Sequence, residues 1–381
     1  MMAHDTLHAL GQALQQSESV DYNQAWSMPV SHYTDPAVLA LEREHLYGKE
    51  WICIGRSDEV PKAGDRMAFQ LCDEPIVAVR GEDLKLRALS NVCRHRGSIL
   101  VDGKGNGPRL VCPYHHWSYD LEGKLAGAPR MEAHKNFDKA SCRLPEFACE
   151  QWHGFIFVNL SANPPPLAPR LQGLEQMIAS YHMEEMMTRY VIEDRWPVNW
   201  KCFIENFMEG YHLSPLHKTT LHPMNPTRLS THLPPGDAYF GYNAGFSPDL
   251  PRSYKGHPDL SDAEAMNCVM LAIPPGLVSG CSGDYSSFIC VQPEAVNSVR
   301  VKMGLMFFGS TWQQSDVDYA VKLFHGYMAE DKEVLANMVR GHNSRYYTKG
   351  PLAPADFEGP VLDFYRYYSR RLSSILTGQQ E

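Results

Sequence analysis

Two short segments of the chain each carry one cysteine followed by one histidine: Cys93 with His95, and Cys112 with His115. Sixteen residues separate His95 from Cys112. Thiolate sulfur and imidazole nitrogen are donors that hold iron and zinc in proteins. If both segments bind the same metal centre, the chain must fold them into two adjacent loops. This requirement constrains the fold of the surrounding region more than any other feature of the sequence.

Two kinds of metal centre use this donor set. In a [2Fe–2S] cluster of the Rieske type, two cysteines bind one iron and two histidines bind the other, which raises the reduction potential above that of an all-cysteine cluster. Zn²⁺ is the alternative, because it also takes two cysteines with two histidines. Zinc fingers usually place their cysteines together and their histidines together, whereas each half-site here has one of each. The pattern therefore favours the Rieske cluster and predicts one-electron transfer.

Composition narrows the class of protein. The 381 residues are enough for two domains with separate cores, and 44% hydrophobic with 21% charged residues is typical of a soluble globular protein. The net charge of −9 argues against nucleic acid or an anionic membrane as a partner. No signal-peptide pattern is visible, and no stretch approaches the ~20 apolar residues of a membrane span. We therefore expect a cytoplasmic protein whose other cysteines are free thiols.

Pattern changes along the chain predict three parts. Residues 1–45 are expected to form an N-terminal helical segment. Residues 46–162 contain short β-type runs separated by Gly, Asp and Pro, which predicts a small antiparallel β domain with two metal-bearing loops. Residues 163–381 open with a proline-rich stretch and then combine sheet patterns with long helical patterns. A sheet that carries helices in this way predicts the α+β class.

A second set of metal ligands is predicted around His212 and His217. A helix expected from Asn199 to Leu213 would place Glu209 and His212 on one face, because they are three residues apart. Pro215 predicts that this helix ends just before it, so that His217 returns to His212. Two histidines and one carboxylate on one side of Fe(II) leave positions open for O₂ and substrate, as in non-haem iron oxygenases.

The residues alone leave two points open: which pair of histidines binds the iron, and which carboxylate is the third ligand. His217 and His222 have the same spacing as His212 and His217, and Glu209 favours the pair that contains His212. The carboxylate ligand has to come from far downstream, where the candidates are Asp316, Asp318, Glu330, Asp331, Glu333 and Asp363.

These motifs make the chain resemble the large (alpha) subunit of the Rieske non-haem iron oxygenases over most of its length. The cluster motif of that family is met by the two half-sites, and its NWK…EN…E-x-YH-x4-H motif is met between Asn199 and His217. The resemblance implies a C-terminal helix-grip domain, an antiparallel sheet with helices, that holds a mononuclear iron. Glu209 at its position, together with the segment from Ser344 onward, resembles the choline, carnitine and glycine-betaine monooxygenase branch.

The resemblance also implies roles for individual residues. The expected cluster ligands are Cys93, His95, Cys112 and His115, the expected iron ligands are His212, His217 and Asp331, and the expected catalytic residues are Asn206 and Glu209. In head-to-tail trimers of this family, the acidic residue here bridges an iron ligand to a cluster histidine of the next subunit. Glu209 is therefore expected to hydrogen-bond His212 and also His115 of the neighbouring chain in a homotrimer.

By resemblance, the expected function is that of a terminal oxygenase in a multicomponent system. Electrons from NAD(P)H would arrive through a separate flavin/iron–sulfur reductase, with or without a ferredoxin, and O₂ would be used to hydroxylate, demethylate or cleave a small organic substrate. A quaternary ammonium substrate would need an aromatic cage, for which the candidates are Phe203, Phe207, Tyr239, Phe240, Tyr242, Tyr285 and Phe288. One alternative is a ring-hydroxylating dioxygenase acting on an aromatic acid. Another, from a different class, is a Rieske-type electron carrier, which needs only the first domain.

Overall fold

The computed structural model describes residues 2–249, 256–310 and 312–378. The chain divides into two compact units, Tyr47–Pro165 and the combination of Met1–Leu46 with Pro166–Glu381. The first unit is built mainly from strands and the second combines a sheet with helices, so the predicted α+β class is confirmed. No helix in the described ranges is both long enough and apolar enough to cross a membrane.

The unit Tyr47–Pro165, all of which the structure describes, contains two antiparallel sheets. Its strands are β1 (Ile52–Arg56), β2 (Asp65–Leu71), β3 (Glu74–Arg80), β4 (Leu86–Ser90), β5 (Lys104–Asn106), β6 (Leu110–Val111), β7 (Ser118–Tyr119), β8 (Leu125–Gly127), β9 (Glu146–Trp152) and β10 (Phe155–Asn159). The larger sheet has the order β1-β10-β9-β4-β3-β2-β5, and the smaller has the order β6-β7-β8. The first Cys–His segment follows β4 and the second connects β6 to β7.

The two Cys–His loops share one backbone design. The amide of Gly97 donates to the carbonyl of Cys93 at 3.0 Å, and the amide of His116 donates to the carbonyl of Cys112 at 3.0 Å. Gly97 and His116 also both have a positive φ, of 77° and 57°, which glycine adopts freely and other residues rarely do. Each cysteine therefore begins a tight turn that contains the histidine two or three positions later.

The second unit contains the helices and one large sheet. Its helices are α1 (Met2–Ser17), α2 (Ser31–Thr34), α3 (Pro36–Glu42), α4 (Leu167–Arg170), α5 (Gln172–Ile178), α6 (Trp200–Phe207), α7 (Leu213–Leu216), α8 (Asp262–Ala265), α9 (Gln314–His342) and α10 (Ala355–Leu376). Its strands are β11 (Met187–Trp196), β12 (Ser230–His232), β13 (Phe240–Gly245), β14 (Asn267–Ile273), β15 (Leu277–Cys281), β16 (Tyr285–Ala295) and β17 (Ser298–Phe307). Among the described residues, these strands form one antiparallel sheet in the order β11-β17-β16-β15-β14-β13-β12. Helix α1 packs against α10, which joins the N-terminal segment to the C-terminal helix.

A buried carboxylate, Glu42, ties the N-terminal segment to α6 and α10. Its side chain accepts hydrogen bonds from Trp200 Nε1 at 2.7 Å, from Lys201 Nζ and from the Tyr368 hydroxyl at 2.6 Å. An ionised carboxylate is tolerated in a protein interior only when it is paired and hydrogen-bonded. Trp200 and Lys201 meet this need, and they thereby fix the position of α6, which also carries Asn206.

Glu205 lies one helical turn beyond Lys201 in α6 and has a different environment. The Tyr33 hydroxyl lies 3.0 and 3.1 Å from its two carboxylate oxygens, and the same hydroxyl is 3.0 Å from that of Tyr365. Burial is the largest influence and raises the pKa of Glu205 to about 8, although the Tyr33 hydroxyl and the charge of Lys201 act in the opposite direction. Glu205 is therefore mostly protonated in the folded protein at neutral pH.

The raised pKa of Glu205 makes stability depend on pH. Because this pKa rises from 4.5 to about 8 on folding, the folded state holds the proton more tightly, and stability falls as the pH rises through that window by up to about 1.4 kcal/mol per pH unit. We expect Glu205→Gln, which resembles the neutral acid, to raise the melting temperature at about pH 9 more than at about pH 5. Thermal unfolding followed by circular dichroism measures both values.

The matched control is Glu132→Gln, which removes a carboxylate from an exposed position. Its melting temperature should differ from that of the unaltered protein by a similar, small amount at both pH values. A Glu205→Gln effect that does not change with pH would contradict the prediction.

Candidate active site

The thiols of Cys93 and Cys112 lie together in the interior of the first unit, where each residue is 2% exposed. The Cys93 sulfur is 3.4 Å from the Tyr119 hydroxyl, which accepts a hydrogen bond from the Arg94 amide at 3.0 Å. Burial raises the pKa of Cys112, but hydrogen bonds from two backbone amides of its loop and from neighbouring side chains outweigh burial and lower that pKa. A lowered thiol pKa favours the thiolate, which is the form that binds metals.

The imidazoles of His95 and His115 form a second pair. Both residues are exposed, their ring centroids are 4.7 Å apart, and the ring of His95 stacks on Trp117. A single zinc ion would need the two thiols and the two imidazoles around one point. In the described part of the chain, the groups of three or more possible ligands whose donor atoms lie within 4.8 Å of one another do not include these four residues. One thiol pair and one imidazole pair fit the two irons of a Rieske cluster.

The second centre brings together His212, His217 and Asp331, each of which offers one donor atom within 4.8 Å of the others. Asp331 Oδ1 is 3.3 Å from His217 Nε2 and 3.6 Å from His212 Nε2. His217 is wholly buried, and its Nε2 atom has no hydrogen-bond partner, which is costly unless a metal or another ligand binds it. Two imidazoles and one carboxylate that converge in this way fit the ligand set of a non-haem Fe(II) site.

The backbone before His212 differs from the predicted helix. Helix α6 ends at Phe207, so Glu209 and His212 lie beyond it rather than on a common helix face. The chain turns here past β12, where a Cβ on Gly210 would lie 2.1 Å from the Oγ atom of Ser230. Only glycine permits this approach, and the turn brings Glu209 back to His212.

The predicted effect of Pro215 is also wrong. This proline does not end a helix that begins at Asn199; it lies inside the short helix α7, whose first turn tolerates proline because its amide needs no intrahelical partner. His212 is the residue before α7 and His217 is the residue after it. One short helix thus separates the two imidazoles and turns both towards the same point.

Each of these histidines directs its Nδ1 atom to a carboxylate. His212 Nδ1 hydrogen-bonds Glu209, which also accepts from backbone amides of the turn, and His217 Nδ1 is 2.7 Å from Glu330 Oε2. Such outer partners fix the tautomer and the ring orientation of metal-binding histidines, and here they leave both Nε2 atoms available to a metal. Burial lowers the pKa of His212, but the charges of Glu209 and Asp331 outweigh burial and raise that pKa above its usual value.

Asp331 lies in the middle of α9 and is 1% exposed. Asn206 Nδ2 donates a hydrogen bond to Asp331 Oδ1 at 3.0 Å. Asn206 therefore contacts the carboxylate that faces both histidines, and this contact restricts how Asp331 rotates.

The other candidates for the second centre have other partners. His222 Nδ1 is 2.8 Å from Ser214 Oγ, and Asp363 Oδ2 is 2.6 Å from His232 Nε2. Within the described residues, the set of donors around His212 includes none of the remaining acidic candidates: Asp316, Asp318, Glu330, Glu333 and Asp363.

A cavity of about 330 Å³ adjoins His212, His217 and Asp331. Strand β16 lines it with alternate residues, Tyr285, Ser287 and Ile289, because successive residues of a strand face opposite sides of the sheet. Helix α9 lines it with residues four positions apart, which share one helix face: Tyr319, Leu323, Tyr327 and Asp331.

The aromatic residues of the cavity were only partly predicted. Of the candidates, Phe207, Tyr242 and Tyr285 line it. Four candidates do not line it: Phe203, Tyr239, Phe240 and Phe288. Of these, Phe203 packs on Trp196 and Phe240 packs on Phe364. The prediction missed Phe246, Tyr319 and Tyr327. The spacing of four along α9 that leads to Asp331 was the sequence signal for the two tyrosines.

The contact between Glu330 and His217 predicts a role in metal retention. Replacing Glu330 with alanine removes the acceptor of His217 Nδ1, so we expect Glu330→Ala to weaken iron binding at the second centre by roughly 10- to 100-fold. The measurement is iron bound per chain against a graded chelator, with the visible spectrum of the cluster as an internal check. Glu333→Ala, an exposed position on the same helix, should keep its iron. Equal iron retention in the two variants would refute this role.

Two protein-family models match the chain. The Rieske [2Fe–2S] domain model matches residues 50–157, and the model of the ring-hydroxylating alpha subunit catalytic domain matches residues 179–374, just over half of the chain. One relative, the carnitine monooxygenase oxygenase subunit of Acinetobacter baumannii, is 29% identical over 85% of this chain and 87% of its own length. Another, the glycine betaine monooxygenase oxygenase subunit of Pseudomonas aeruginosa, is 27% identical over 92% of this chain and 90% of its own.

Solved structures share the fold. A quaternary ammonium Rieske monooxygenase, described for carnitine oxidation and inter-subunit electron transfer, has a TM-score of 0.81 at 22% identity and covers 92% of this chain and 96% of its own. Naphthalene 1,2-dioxygenase from Rhodococcus, bound to indole, has a TM-score of 0.79 at 20% identity over 96% and 98%. Because enzymes named for such different substrates match almost equally well, the fold alone does not select a substrate.

Proposed function

The chain belongs to the ring-hydroxylating alpha subunit family and is a Rieske non-haem iron oxygenase, and we propose that it oxidises a quaternary ammonium compound. It is the oxygenase subunit of a multicomponent system that needs a reductase. When bound, the [2Fe–2S] cluster supplies single electrons and the mononuclear iron supplies the centre for O₂ chemistry. The alternative of a simple electron carrier is wrong, because the match to the catalytic domain occupies residues 179–374.

The two metal centres would have separate sets of ligands. The cluster would be held by Cys93, Cys112, His95 and His115, and the mononuclear iron by His212, His217 and Asp331. Glu209, Glu330 and Asn206 would act as positioning residues, because each hydrogen-bonds one of the three iron ligands. A flavin/iron–sulfur protein would be the reductase.

The aromatic lining of the cavity is the observation that supports the choice of substrate. Six aromatic side chains surround the space beside the triad of His212, His217 and Asp331: Phe207, Tyr242, Phe246, Tyr285, Tyr319 and Tyr327. A quaternary ammonium group has no N–H to donate and cannot be recognised by hydrogen bonds. Ring faces attract it through cation–π interactions of about 0.5 to 2 kcal/mol each.

The charges of the cavity lining also favour a quaternary ammonium substrate. Among its described residues, the acidic side chains are Asp284 and Asp331, and there is no lysine or arginine. An aromatic acid, the alternative substrate, would bring a carboxylate into this surrounding and would need a cation to offset its desolvation. The lining therefore favours a cationic substrate over an anionic one.

The reaction expected of such a substrate is oxidation of a carbon bonded to nitrogen. Hydroxylation of an N-methyl group gives an N-hydroxymethyl compound, which breaks down to a tertiary amine and formaldehyde. The residues of the cavity would hold the cationic group among the rings and keep one of its carbons beside the triad, while the apolar walls exclude water.

Turnover of a substrate panel tests this proposal. With a reconstituted reductase, we expect O₂-dependent formation of an aldehyde and a tertiary amine from a trimethylammonium substrate. Tyr327→Leu should weaken binding of that substrate by roughly 2- to 30-fold, because a ring face is lost. The variant should bind the neutral tert-butyl analogue with the same affinity as the unaltered enzyme. Tyr327→Phe, which keeps the ring, is the matched control.

Two results would overturn the substrate assignment. One is turnover of an aromatic acid with no turnover of any ammonium compound. The other is an equal loss of affinity for the charged and the neutral ligand in Tyr327→Leu, which would assign Tyr327 to packing alone.

We also propose that the enzyme works as a homotrimer in which Glu209 bridges two subunits. Its carboxylate already holds His212, and the neighbouring Tyr211 is 55% exposed. His115 is exposed on its loop and would be the second partner of Glu209, from the neighbouring subunit. The solved quaternary ammonium monooxygenase described for inter-subunit electron transfer supports this arrangement.

Mixed oligomers test the bridge. We expect Cys93→Ser and His212→Ala to be inactive alone, and activity to return when the two chains are co-expressed and assemble together, because each supplies the centre that the other lacks. Glu209→Gln in the Cys93→Ser chain should prevent this recovery while the iron content stays unchanged. Mixed oligomers of verified composition that remain inactive, or an active monomer, would contradict the proposal.

A further inference from the structure

A second cluster of imidazoles and carboxylates lies outside the active site. The rings of His182 and His257 stack with their centroids 3.7 Å apart and an interplanar angle of 30°. Around them, His182 Nδ1 is 3.5 Å from Glu184 and 3.8 Å from Glu185, and His257 Nε2 is 4.0 Å from Glu185. His182, Glu185 and His257 each offer one donor atom within 4.8 Å of the others.

The backbone at His182 is unusual. This residue links two 3₁₀ turns, Ala179–Tyr181 and Met183–Glu185, with φ of 46° and ψ of 50°. That left-handed conformation is uncommon outside glycine, although histidine, like asparagine and aspartate, adopts it more often than other residues do. Here it places the imidazole against His257 and next to Glu185.

Other contacts hold the two segments together. The Ser180 hydroxyl donates to Glu264 at 2.5 Å, and the Tyr181 hydroxyl donates to the carbonyl of Glu264 at 2.9 Å. Because these hydrogen bonds involve none of the imidazoles, the two rings are brought together by the fold itself. A ligand of this cluster would therefore bind two rings that the fold already places side by side.

We propose that His182, His257 and Glu185 form a binding site for a divalent transition-series cation such as Zn²⁺. Two imidazole nitrogens with a carboxylate oxygen are a donor set that zinc prefers and that magnesium, which requires oxygen ligands, does not. The side chains are 25%, 17% and 54% exposed, so the ion would reach them directly from solvent. None of these residues belongs to the triad or to the cluster loops.

Asp259 supplies a partner for the opposite ring nitrogens. Its Oδ2 atom is 2.9 Å from His182 Nε2 and 3.6 Å from His257 Nδ1. A carboxylate at the second ring nitrogen is a common partner of a metal-binding histidine. The Asp259 amide approaches His257 Nδ1 at 3.1 Å, and metal binding at Nε2 requires this contact to give way to the carboxylate.

The site would stabilise the segment that runs beside the cavity. The ring of His257 packs edge-on against Phe308 at 5.1 Å. The amide of Phe308 donates to the carbonyl of Asp284, which lines the cavity. An ion bound to both His182 and His257 would link two chain segments next to this wall and raise the melting temperature.

Zinc binding to the holoenzyme tests the inference. After equilibration with Zn²⁺ and removal of free metal, we expect elemental analysis to find about one zinc per chain with the iron content unchanged. Zinc should raise the melting temperature, and Mg²⁺ should not. His182→Ala and His257→Ala should lose both the bound zinc and the shift, while the control His45→Ala, which removes an imidazole that lies beside Glu44, keeps them.

Milder variants separate metal binding from folding. Glu185→Gln and Asp259→Asn keep the size of the side chains, and both should bind zinc more weakly with the cluster spectrum and the circular dichroism unchanged. The inference fails if zinc binds only by replacing iron, or if well-folded His182→Ala and His257→Ala retain it.

Discussion

The buried carboxylate of Asp331 is the group on which the arrangement of the catalytic unit depends. A carboxylate that is 1% exposed has lost nearly all its hydration, and the cost of several kcal/mol must be offset by partners. The amide of Asn206 donates a hydrogen bond to it, and the Nε2 atoms of His212 and His217 face it, so that a metal held by all three ligands would offset the rest of the cost. Asn206 comes from α6, which is itself fixed by the buried contacts of Glu42. The N-terminal segment, α6, α7 and α9 are thus tied to the position of one charge.

The two histidines could be predicted from the sequence because they are close in the chain, whereas the carboxylate could not. Spacing alone was compatible with every acidic residue of the C-terminal helices, and only the family resemblance singled out Asp331. Asp331 is selected by the rotation of α9 about its axis, because Tyr319, Tyr327 and Asp331 share the helix face that lines the cavity. That face is visible in the sequence once one of its members is known. Which face meets the cavity is a tertiary property that local patterns do not contain.

The error in the predicted helix has a similar origin. Pro215 is a local signal, and on its own it indicated where a helix should end. Helix α6 ends earlier because the chain must pass Ser230 of β12, and Gly210 is the residue that allows it. The same limit explains the aromatic candidates: Tyr285 and Phe288 are both aromatic residues of β16, but the alternation of that strand puts only Tyr285 of the two in the lining. Residue types predicted the chemistry of the site, and packing decided which residues take part in it.

The charges around the triad explain why a metal and an aromatic lining suit the same site. Glu209, Glu330 and Asp331 surround two imidazoles, so with neutral rings the group carries three carboxylate charges that a divalent cation largely offsets. Burial lowers the pKa of His212, but the charges of Glu209 and Asp331 outweigh it and raise that pKa, so a proton and a metal compete for its ring. Because Glu209 and Glu330 occupy the Nδ1 atoms, that competition takes place at Nε2. A substrate that formed an ion pair with one of these carboxylates would disturb this balance. Ring faces attract a permanently charged ammonium group without drawing any carboxylate away from its histidine.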